Sequence, residues 1–341
     1  ATVKEATVKE AQAPAHLKKR SRRNYDDMLA DILINDRKVD QDIFRKSRNI
    51  YHESLNCKDL KLTPKVPTTL NIELVNKCNY ACKMCYTVNH EGVKNQLPKE
   101  TLFSIIDQAN EMGVFTVMFG MGSEATLHPH LLEVLKYASS KIPDVVLFTN
   151  GSRIRLNQIH KFVDTGITRI CISLDAADQE VYKVIRGGDL EKVESVIDGF
   201  VSHQTEYGRP LVRVSFCNQP SNNHQQDQFL DKWIDRVDSV EVQTVRDLAH
   251  LFFLNKLDKE SDYETSQSDH YCFRPFSYLT IWSDGQISPC CSFHGIKLNL
   301  GSVYQDTLFD VWNSDFLNKL RKEFIESRLN PICKDCLNCT F

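Results

Sequence analysis

The sequence predicts an α/β protein in which parallel strands alternate with helices. Between residues 69 and 245, a strand-like run is followed by a helical pattern about six times. Leu190, Val193 and Ile197 mark one apolar helix face in this region. Such alternation gives parallel strands covered by helices, and ligand chemistry then gathers at the carboxyl ends of the strands. The strand-like runs are 69–75, 114–119, 145–149, 169–174, 211–216 and 239–244.

Cysteine placement and charge narrow the class of protein. Nine of the twelve cysteines fall into three short clusters, and because no export signal opens the chain, metal ligation explains this crowding better than disulfides do. No run approaches the length of a transmembrane helix, and a net charge of −3 gives no general attraction to nucleic acid. A basic run at 18–23 is typical of a solvated face or tail. We expect a cytoplasmic protein that binds neither membranes nor nucleic acid.

Four regions are predicted. Residues 1–66 form an N-terminal tail, in which the pentapeptide Ala-Thr-Val-Lys-Glu is repeated, followed by helical periodicity at Met28, Leu29, Ile32 and Leu33. These helices can pack on one end of the core, bind a partner or cover the active site, and simple packing is favoured. The other regions are the strand-helix core at 67–245, a polar linker at 246–271 and a cysteine-rich module at 272–341.

The first strand leads directly into a loop with the spacing C-x3-C-x2-C, formed by Cys78, Cys82 and Cys85. Three thiolates so close together can hold one face of a metal cluster and leave one metal position open to another ligand. A structural zinc site is the alternative, but such sites are normally closed by a fourth cysteine or histidine, for which His90 is the nearest candidate. The spacing favours a cluster with an open iron.

This loop resembles the cluster loop of the radical S-adenosylmethionine (SAM) enzymes, in which C-x3-C-x-aromatic-C holds a 4Fe–4S cluster. Met84 stands where that family usually has the aromatic residue, and a polarizable thioether can also lie against an adenine ring. The resemblance implies a partial (β/α)6 barrel with this loop after its first strand. It also implies reductive cleavage of SAM to a 5'-deoxyadenosyl radical that abstracts a hydrogen atom from a substrate.

The resemblance assigns the next two strand ends to the cofactor. Gly122, Ser123 and Glu124 lie where the family carries Gly-Gly-Glu-Pro to bind the methionine amino group, although Ser123 and the following Ala125 depart from that motif. A flexible backbone suits close approach to a ligand, and a carboxylate accepts from an ammonium. The residues after the third strand, Thr149 and Asn150 with a following glycine, resemble the family's Thr-Asn-Gly turn, which is also a common turn by itself.

The fourth strand offers further polar groups. Ser173 and Asp175 project to one side because strand side chains alternate, so they are candidates to hydrogen-bond a ribose. Arg186 precedes two glycines and is either a planar fork that holds a carboxylate, such as that of the cofactor's methionine, or the end of a helix. Cys171 is expected to be a packed thiol. Cys217, after the fifth strand, is either structural or a hydrogen-atom donor to a substrate radical.

The C-terminal region carries a second set of thiols. An Asp284-Gly285 hairpin is predicted between strand-like runs, followed by a helix over 308–324. Four thiolates around a hairpin and after a helix serve zinc or an iron–sulfur cluster equally well. The expected ligands are Cys272, Cys290, Cys333 and Cys336, with Cys339 as a replacement for one of the last pair and Cys291 as a spare thiol.

This region resembles the SPASM module attached to many radical SAM enzymes. The spacing Cys272-x12-Gly285-x4-Cys290 matches the opening of that module, and Asp310-Val-Trp312-Asn resembles its usual Ile-Trp-Asn helix. The run of cysteines that binds a second auxiliary cluster is absent, so the chain resembles the shortened, twitch-type form of the single-cluster deoxy-scyllo-inosamine dehydrogenase subgroup. The resemblance implies one catalytic and one auxiliary 4Fe–4S cluster.

Three functions are compatible with these patterns. The leading hypothesis is a dehydrogenase or epimerase acting on a small polar metabolite such as a sugar or aminocyclitol, reduced by a partner such as flavodoxin or ferredoxin. The second is a maturase that crosslinks or epimerises a ribosomal peptide, because SPASM-like modules are common in such enzymes. The third is a non-catalytic binding module stabilised by metal.

Overall fold

The structure, a computed structural model, describes residues 25–54, 63–85, 95–244, 272–292 and 294–338. Six strands form the core and run parallel in chain order, which confirms the α/β fold class and the alternation read from the sequence. The first strand ends earlier than the pattern suggested, at Ile72. The strands are β1 (Thr69–Ile72), β2 (Thr116–Phe119), β3 (Asp144–Thr149), β4 (Arg169–Ser173), β5 (Leu211–Asn218) and β6 (Ser239–Thr244).

Helices separate these strands and cover their apolar face. Leu70 and Ile72 of β1 and Ile170 of β4 are fully buried in the main core, together with Val193 and Phe200 of one covering helix. None of the described helices is long and apolar enough to cross a membrane. The helices between strands are α3 (Lys99–Met112), α4 (Leu131–Lys141), α5 (Ile159–Asp164), α6 (Gln179–Ile185), α7 (Leu190–Ser202) and α8 (Gln226–Trp233).

The alternate residues of the strands form a more polar inner face. Asn71 of β1 donates to Thr280 across 3.5 Å, and Arg213 of β5 donates to Glu241 of β6 across 3.2 Å. Cys171 of β4 pairs in register with Arg213. Polar groups on this face suit a barrel interior that accepts a hydrophilic molecule, in contrast to the apolar face beneath the helices.

The N-terminal helices pack against the beginnings of the strands. They are α1 (Tyr25–Asp31), which continues as a π-helical turn at Ile32–Asp36, and α2 (Gln41–Ser54). Their apolar residues form a second small core with Phe115, just before β2, and Leu211, the first residue of β5. Packing at the end opposite the predicted active site is therefore observed for these helices. The buried helix residues are Met28, Leu29, Ile32, Leu33 and Phe44.

The C-terminal module extends the core sheet directly. After the short helix α9 (Arg274–Ser277), β7 (Tyr278–Ile281) pairs parallel with β1, and β8 (Gln286–Ser288) and β9 (Gly301–Ser302) follow in antiparallel order. The nine-stranded sheet has the order β6-β5-β4-β3-β2-β1-β7-β8-β9. The predicted hairpin is present, with Gly285 at φ +89° in its turn, a conformation that favours glycine.

The prediction of a single helix over 308–324 is wrong, because two helices occupy this region. The first, α10 (Leu308–Trp312), ends before Ser314, whose side chain accepts from the Leu317 amide and begins α11 (Asp315–Ile325). A serine cap offers the backbone a new helix start, which explains the break. The last helix, α12 (Pro331–Asn338), carries the final described cysteines. Residues 1–24 of the predicted tail and the predicted linker at 246–271 lie outside the described residues.

Candidate metal centres and cofactor pocket

The three-cysteine loop follows β1 at the carboxyl edge of the sheet. Cys82 is 7% exposed, whereas Cys78 is exposed and Cys85 is half-buried. The Cys85 amide donates to the Cys82 carbonyl across 3.0 Å, and the Tyr80 amide donates to Cys78 Sγ across 3.4 Å. Burial raises the pKa of the Cys82 thiol to about 11, so a metal that binds here must displace a proton.

The end of α6 holds this loop in place. The Lys83 amide donates to the Ile185 carbonyl across 3.0 Å. Tyr80 lies across Gly188, where an added Cβ would stand 2.1 Å from the tyrosine oxygen, so a larger residue would push Tyr80 away. On the other side, Asn79 donates to Ser152 across 2.8 Å. The loop is thus fixed by elements that follow β3 and β4.

Glu124 connects the ends of β2 and β3. It is 1% exposed, and its Oε1 accepts from the Thr126 amide at 3.1 Å, the Thr126 hydroxyl at 2.6 Å and the Thr149 hydroxyl at 2.7 Å. Its Oε2 accepts from the Asn150 amide at 2.8 Å. A carboxylate offers about four acceptor positions, two on each oxygen, so Oε1 is saturated and Oε2 keeps one free for an incoming donor.

Asn150 carries this connection to the cysteine loop. Its Nδ2 donates to Asn79 Oδ1 across 3.1 Å and lies 3.9 Å from Cys78 Sγ. Its Oδ1 accepts from the Ser152 amide and hydroxyl at 2.9 and 2.7 Å. The predicted cofactor residues Glu124, Thr149 and Asn150 therefore form one hydrogen-bonded unit that reaches Cys78.

Substitution of Glu124 by glutamine should weaken SAM binding roughly tenfold or more while leaving the iron–sulfur spectra intact. An amide cannot accept at both ends, so either the Asn150 amide or the cofactor's ammonium loses a charge-assisted acceptor. Equilibrium titration of the reconstituted protein with SAM measures the effect. The exposed Glu133→Gln is the matched control, and equal affinity of the two variants would show that Glu124 has another role.

The β2 turn carries a buried polar group that a ligand can contact. Gly122 adopts φ +91°, and Ser123 Oγ is buried with no hydrogen-bond partner within the described residues. An orphaned buried hydroxyl beside a glycine is a site where a bound molecule can complete the hydrogen bonding. These residues fit the predicted cofactor turn.

Asp175 and Arg186 pair with each other. Asp175 is fully buried at φ +62°, a left-handed conformation that aspartate tolerates, and its Oδ2 accepts from Arg186 Nε at 2.8 Å and from a terminal guanidinium nitrogen. Its Oδ1 accepts from the Cys217 amide at 2.7 Å. The remaining terminal nitrogen of Arg186 lies 3.8 Å from Cys82 Sγ. Asp175 was predicted to bind a ribose and Arg186 a carboxylate, but in the structure the two side chains bind each other and Arg186 lies next to the cysteine loop. Ser173, the other predicted ribose contact, lies half-buried at the end of β4.

Cys217 lies next to the same pair. It is half-buried on β5, on the strand face that also carries Arg213 and Ser215. Burial, with a smaller contribution from Asp175, raises the pKa of its thiol to about 12. A neutral thiol beside the predicted cofactor pocket retains the S–H bond that a hydrogen-atom donor needs. Cys171 is buried on β4, as expected of a packed thiol.

The C-terminal thiols predicted as ligands converge. Cys333 and Cys336 share one face of α12 because they are three residues apart. Burial raises the pKa of the Cys333 thiol, and Cys290 and Cys272 lie close enough to raise it as well. An added Cβ at Gly295 would stand 2.5 Å from Cys290 Sγ, so this glycine leaves room for the sulfur. The four thiols fit a cluster site, and Cys339 lies outside the described residues.

Among the described residues, no three His, Cys, Asp or Glu side chains lie close enough together to hold one metal ion.

Glu73 is a buried carboxyl that the sequence reasoning missed. It follows β1, is 6% exposed, and its Oε2 accepts from the Ser283 amide and hydroxyl at 3.1 and 2.7 Å. It thereby joins the cysteine-loop strand to the C-terminal hairpin. Its period-two spacing after Thr69 and Asn71 was the available signal. Burial raises the pKa of Glu73 to about 7 from 4.5, with a smaller contribution from Asp284.

Glu73 should make the stability of the protein depend on pH. Because its folded pKa lies above the unfolded value, the folded state binds the proton more tightly, and stability decreases as pH rises from 4.5 to about 7. The loss amounts to about 3 kcal/mol at most. Glu73→Gln keeps an acceptor for Ser283 and removes the charge. The stability of the variant relative to that of the unsubstituted protein should therefore increase as the pH rises from 5 to 8. Urea unfolding of the metal-free chain measures this, and a difference that does not change with pH would contradict the prediction.

Parallel strands, a three-thiol loop after the first strand and a four-thiol module on the same sheet are the arrangement expected of a protein with one open and one closed metal–thiolate site. Comparison with known families agrees. The model described as "Radical SAM superfamily" matches residues 72–207, and that described as "Iron-sulfur cluster-binding domain", SPASM, matches residues 272–339. The chain belongs to the radical SAM superfamily and carries a C-terminal SPASM domain. Its cofactors are SAM, a catalytic 4Fe–4S cluster and an auxiliary 4Fe–4S cluster.

Curated relatives whose names give two different activities match parts of this chain. A "Probable GTP 3',8-cyclase" of Thermococcus kodakarensis is 30% identical over 145 residues, which are 42% of this chain and 46% of that protein. The "Mycofactocin maturase MftC" of Mycobacterium tuberculosis is 35% identical over 121 residues, 36% of this chain and 31% of that protein. The chain therefore spans about half or less of the curated relatives it matches.

Solved structures show the same fold. SuiB of Streptococcus suis, bound to its precursor peptide SuiA, superposes with a TM-score of 0.62 at 18% identity, covering 82% of this chain and 71% of that chain. BtrN in complex with AdoMet and 2-DOIA superposes with a TM-score of 0.52 at 14% identity, covering 76% and 88%. At these identities the likeness establishes the fold alone.

Proposed function

We propose that the chain reductively cleaves SAM and abstracts a hydrogen atom from a small polar metabolite, a sugar, aminocyclitol or similar alcohol, to oxidise it. The observation that carries this proposal is the placement of two thiol sites on one sheet. Cys78, Cys82 and Cys85 follow β1, and Cys272, Cys290, Cys333 and Cys336 belong to the module whose strand β7 pairs with β1. An acceptor site on the same sheet as the radical site suits oxidation.

The bound cofactors supply the 5'-deoxyadenosyl radical and a place for the electron that oxidation releases. The chain supplies position. The unit of Glu124, Thr149 and Asn150 holds the β2 and β3 turns against the cysteine loop, and the polar inner face of the strands offers donors and acceptors to a hydroxylated substrate. An external electron donor such as flavodoxin or ferredoxin completes the system.

A panel of sugars and aminocyclitols tests this proposal with the anaerobic, dithionite-reduced and SAM-loaded protein. A carbonyl product formed in equal amount with 5'-deoxyadenosine supports it. Deuterium placed on the attacked carbon should appear in the 5'-deoxyadenosine. Cleavage of SAM without any carbonyl product across the panel would count against a dehydrogenase.

Substitution of Cys217 distinguishes oxidation of the substrate from its epimerisation. An epimerase returns a hydrogen atom to the opposite face of the substrate, and the neutral Cys217 thiol lies near the predicted pocket. With an active substrate in deuterium oxide, we expect an unlabelled carbonyl product made equally well by Cys217→Ala. A product that carries deuterium at the attacked carbon, and that the variant fails to make, would identify Cys217 as the donor and the protein as an epimerase.

A peptide maturase is the second candidate, favoured by the 35% identity to a mycofactocin maturase over 121 residues. The same reduced protein, incubated with candidate precursor peptides, would then crosslink them, which mass spectrometry detects as loss of hydrogen, or epimerise them, which chiral amino-acid analysis detects. The metabolite panel would remain unmodified in that case.

A further inference from the structure

Two polar side chains of the β1 segment face the barrel interior. Leu70 and Ile72 are buried in the apolar core beneath the helices. Because strand side chains alternate, Asn71 and Glu73 point to the opposite, inner face. Glu73 directly follows the strand, at the carboxyl edge where the cysteine loop begins, and both side chains are buried. This segment therefore presents two buried polar groups to the interior at the end of the barrel that carries the predicted active site.

Each of these side chains keeps an acceptor atom without a partner. Asn71 donates to Thr280, but its Oδ1 is buried and accepts no hydrogen bond within the described residues. Glu73 Oε2 accepts twice from Ser283, whereas Oε1 has no partner in the described part of the chain. Buried acceptors are almost always satisfied in folded proteins. Two open acceptors on one strand face indicate a site for a molecule with hydroxyl or amino donors.

The other buried carboxylates that the described residues place at this edge are already engaged. Asp175 Oδ1 accepts from the Cys217 amide, and its Oδ2 accepts from Arg186. Glu124 accepts four hydrogen bonds, and its remaining position is the one predicted to bind the cofactor's ammonium. Of the three carboxylates, Glu73 is the one with an oxygen left for a substrate.

We propose that Glu73 takes the proton of the substrate hydroxyl that becomes the carbonyl, and that Asn71 binds a neighbouring hydroxyl or amino group. This inference rests on the proposed function, the oxidation of an alcohol. After the hydrogen atom of the substrate C–H bond has been transferred to the 5'-deoxyadenosyl radical, the hydroxyl proton goes to Glu73 Oε1 and the C=O double bond forms. The remaining electron leaves to a one-electron acceptor, which the proposed function assigns to the auxiliary iron–sulfur cluster.

The surroundings of Glu73 suit this proton transfer. Burial raises its pKa to about 7, so the carboxylate is a stronger base than an exposed glutamate and still releases the proton near neutral pH. Two hydrogen bonds from Ser283 hold the carboxylate in place. A carboxylate at this position also repels phosphate and carboxylate groups, which favours neutral or amino-substituted polyols as substrates.

The proton transfer is tested with the full, SAM-loaded and reduced protein. The probe is the polyol of the panel that gives the most carbonyl product, deuterated at the attacked carbon. Glu73→Gln should still transfer deuterium to 5'-deoxyadenosine, but the amount of carbonyl formed per 5'-deoxyadenosine should fall about tenfold or more, because the general base is missing. Ser283→Ala removes a contact to Glu73 and keeps the carboxylate, so it should retain the ratio, as should the exposed Glu133→Gln.

The role of Asn71 is tested without turnover. Asn71→Ala removes the open acceptor and should weaken binding of the same polyol to the SAM-loaded, unreduced protein roughly tenfold. Equilibrium titration measures this affinity. Iron content and SAM affinity equal to those of the unsubstituted protein verify that both thiol sites and the cofactor pocket are intact in each variant.

Three results would overturn the proposal. One is an unchanged ratio of carbonyl to 5'-deoxyadenosine in Glu73→Gln. The second is an equal loss of carbonyl in Ser283→Ala, which would make Glu73 a structural tie between β1 and the hairpin. The third is unchanged polyol affinity in Asn71→Ala. Failure of the proposed function is distinguishable, because the unsubstituted protein would then form no carbonyl from any member of the panel, and this inference would fall with it.

Discussion

Replacement of Cys78, Cys82 and Cys85 together by alanine should abolish SAM cleavage and leave about four of about eight irons in the anaerobically reconstituted chain. The three thiols are the protein ligands that the loop after β1 offers to the catalytic cluster, and the auxiliary thiols lie on other elements. Iron analysis, together with quantification of 5'-deoxyadenosine, measures both effects.

The matched control is Cys171→Ala, which removes a buried thiol on β4 outside both sites. It should keep about eight irons and full cleavage. Retention of about eight irons in the triple variant would contradict the assignment of the loop. Stoichiometric zinc in protein purified without air would contradict the auxiliary cluster at Cys272, Cys290, Cys333 and Cys336.

Arg186→Gln should destabilise the metal-free protein by about 3–5 kcal/mol, because it leaves Asp175 buried without its partner. The side chains are 11% and 1% exposed, so solvent screens the pair little. Burial alone would lower the pKa of Arg186, but Asp175 holds it above its usual range. Denaturant unfolding under anaerobic conditions measures the change.

Two further variants show whether the uncompensated charge is the cause. Arg328→Gln disrupts an exposed ion pair with Glu326 and should leave the stability nearly unchanged. Addition of Asp175→Asn to Arg186→Gln should recover much of the loss, since asparagine also tolerates the left-handed backbone of residue 175. An Arg186→Gln variant as stable as Arg328→Gln would show that the pair contributes little.

Patterns local in the chain predicted much of this molecule. Strand alternation located β2 to β6 to within two residues at each end, because the strand-like runs are bounded by turns. Cysteine spacing identified the superfamily and its cofactors, because a cluster demands thiolates at short, fixed separations. The sequence did not predict the break at Ser314, because serine occurs within helices as well as at their N-caps.

Contacts between distant parts of the chain could not be predicted. The pairing of β1 with β7 joins residues about two hundred positions apart, and the Glu73–Ser283 contact depends on it. Asp175 and Arg186 were read separately as ligand contacts, whereas the left-handed turn at Asp175 brings the two together. Which strands pair, and which side chains contact each other, depends on tertiary packing. No local pattern in a single sequence predicts such contacts.

Incubation of the anaerobically reconstituted chain with dithionite and SAM tests the central claim most directly. The account predicts formation of 5'-deoxyadenosine and methionine, dependent on the reductant and absent when Cys78, Cys82 and Cys85 are replaced. A chain that holds about eight irons and binds SAM, yet yields no 5'-deoxyadenosine, would contradict catalysis and favour a metal-stabilised binding module.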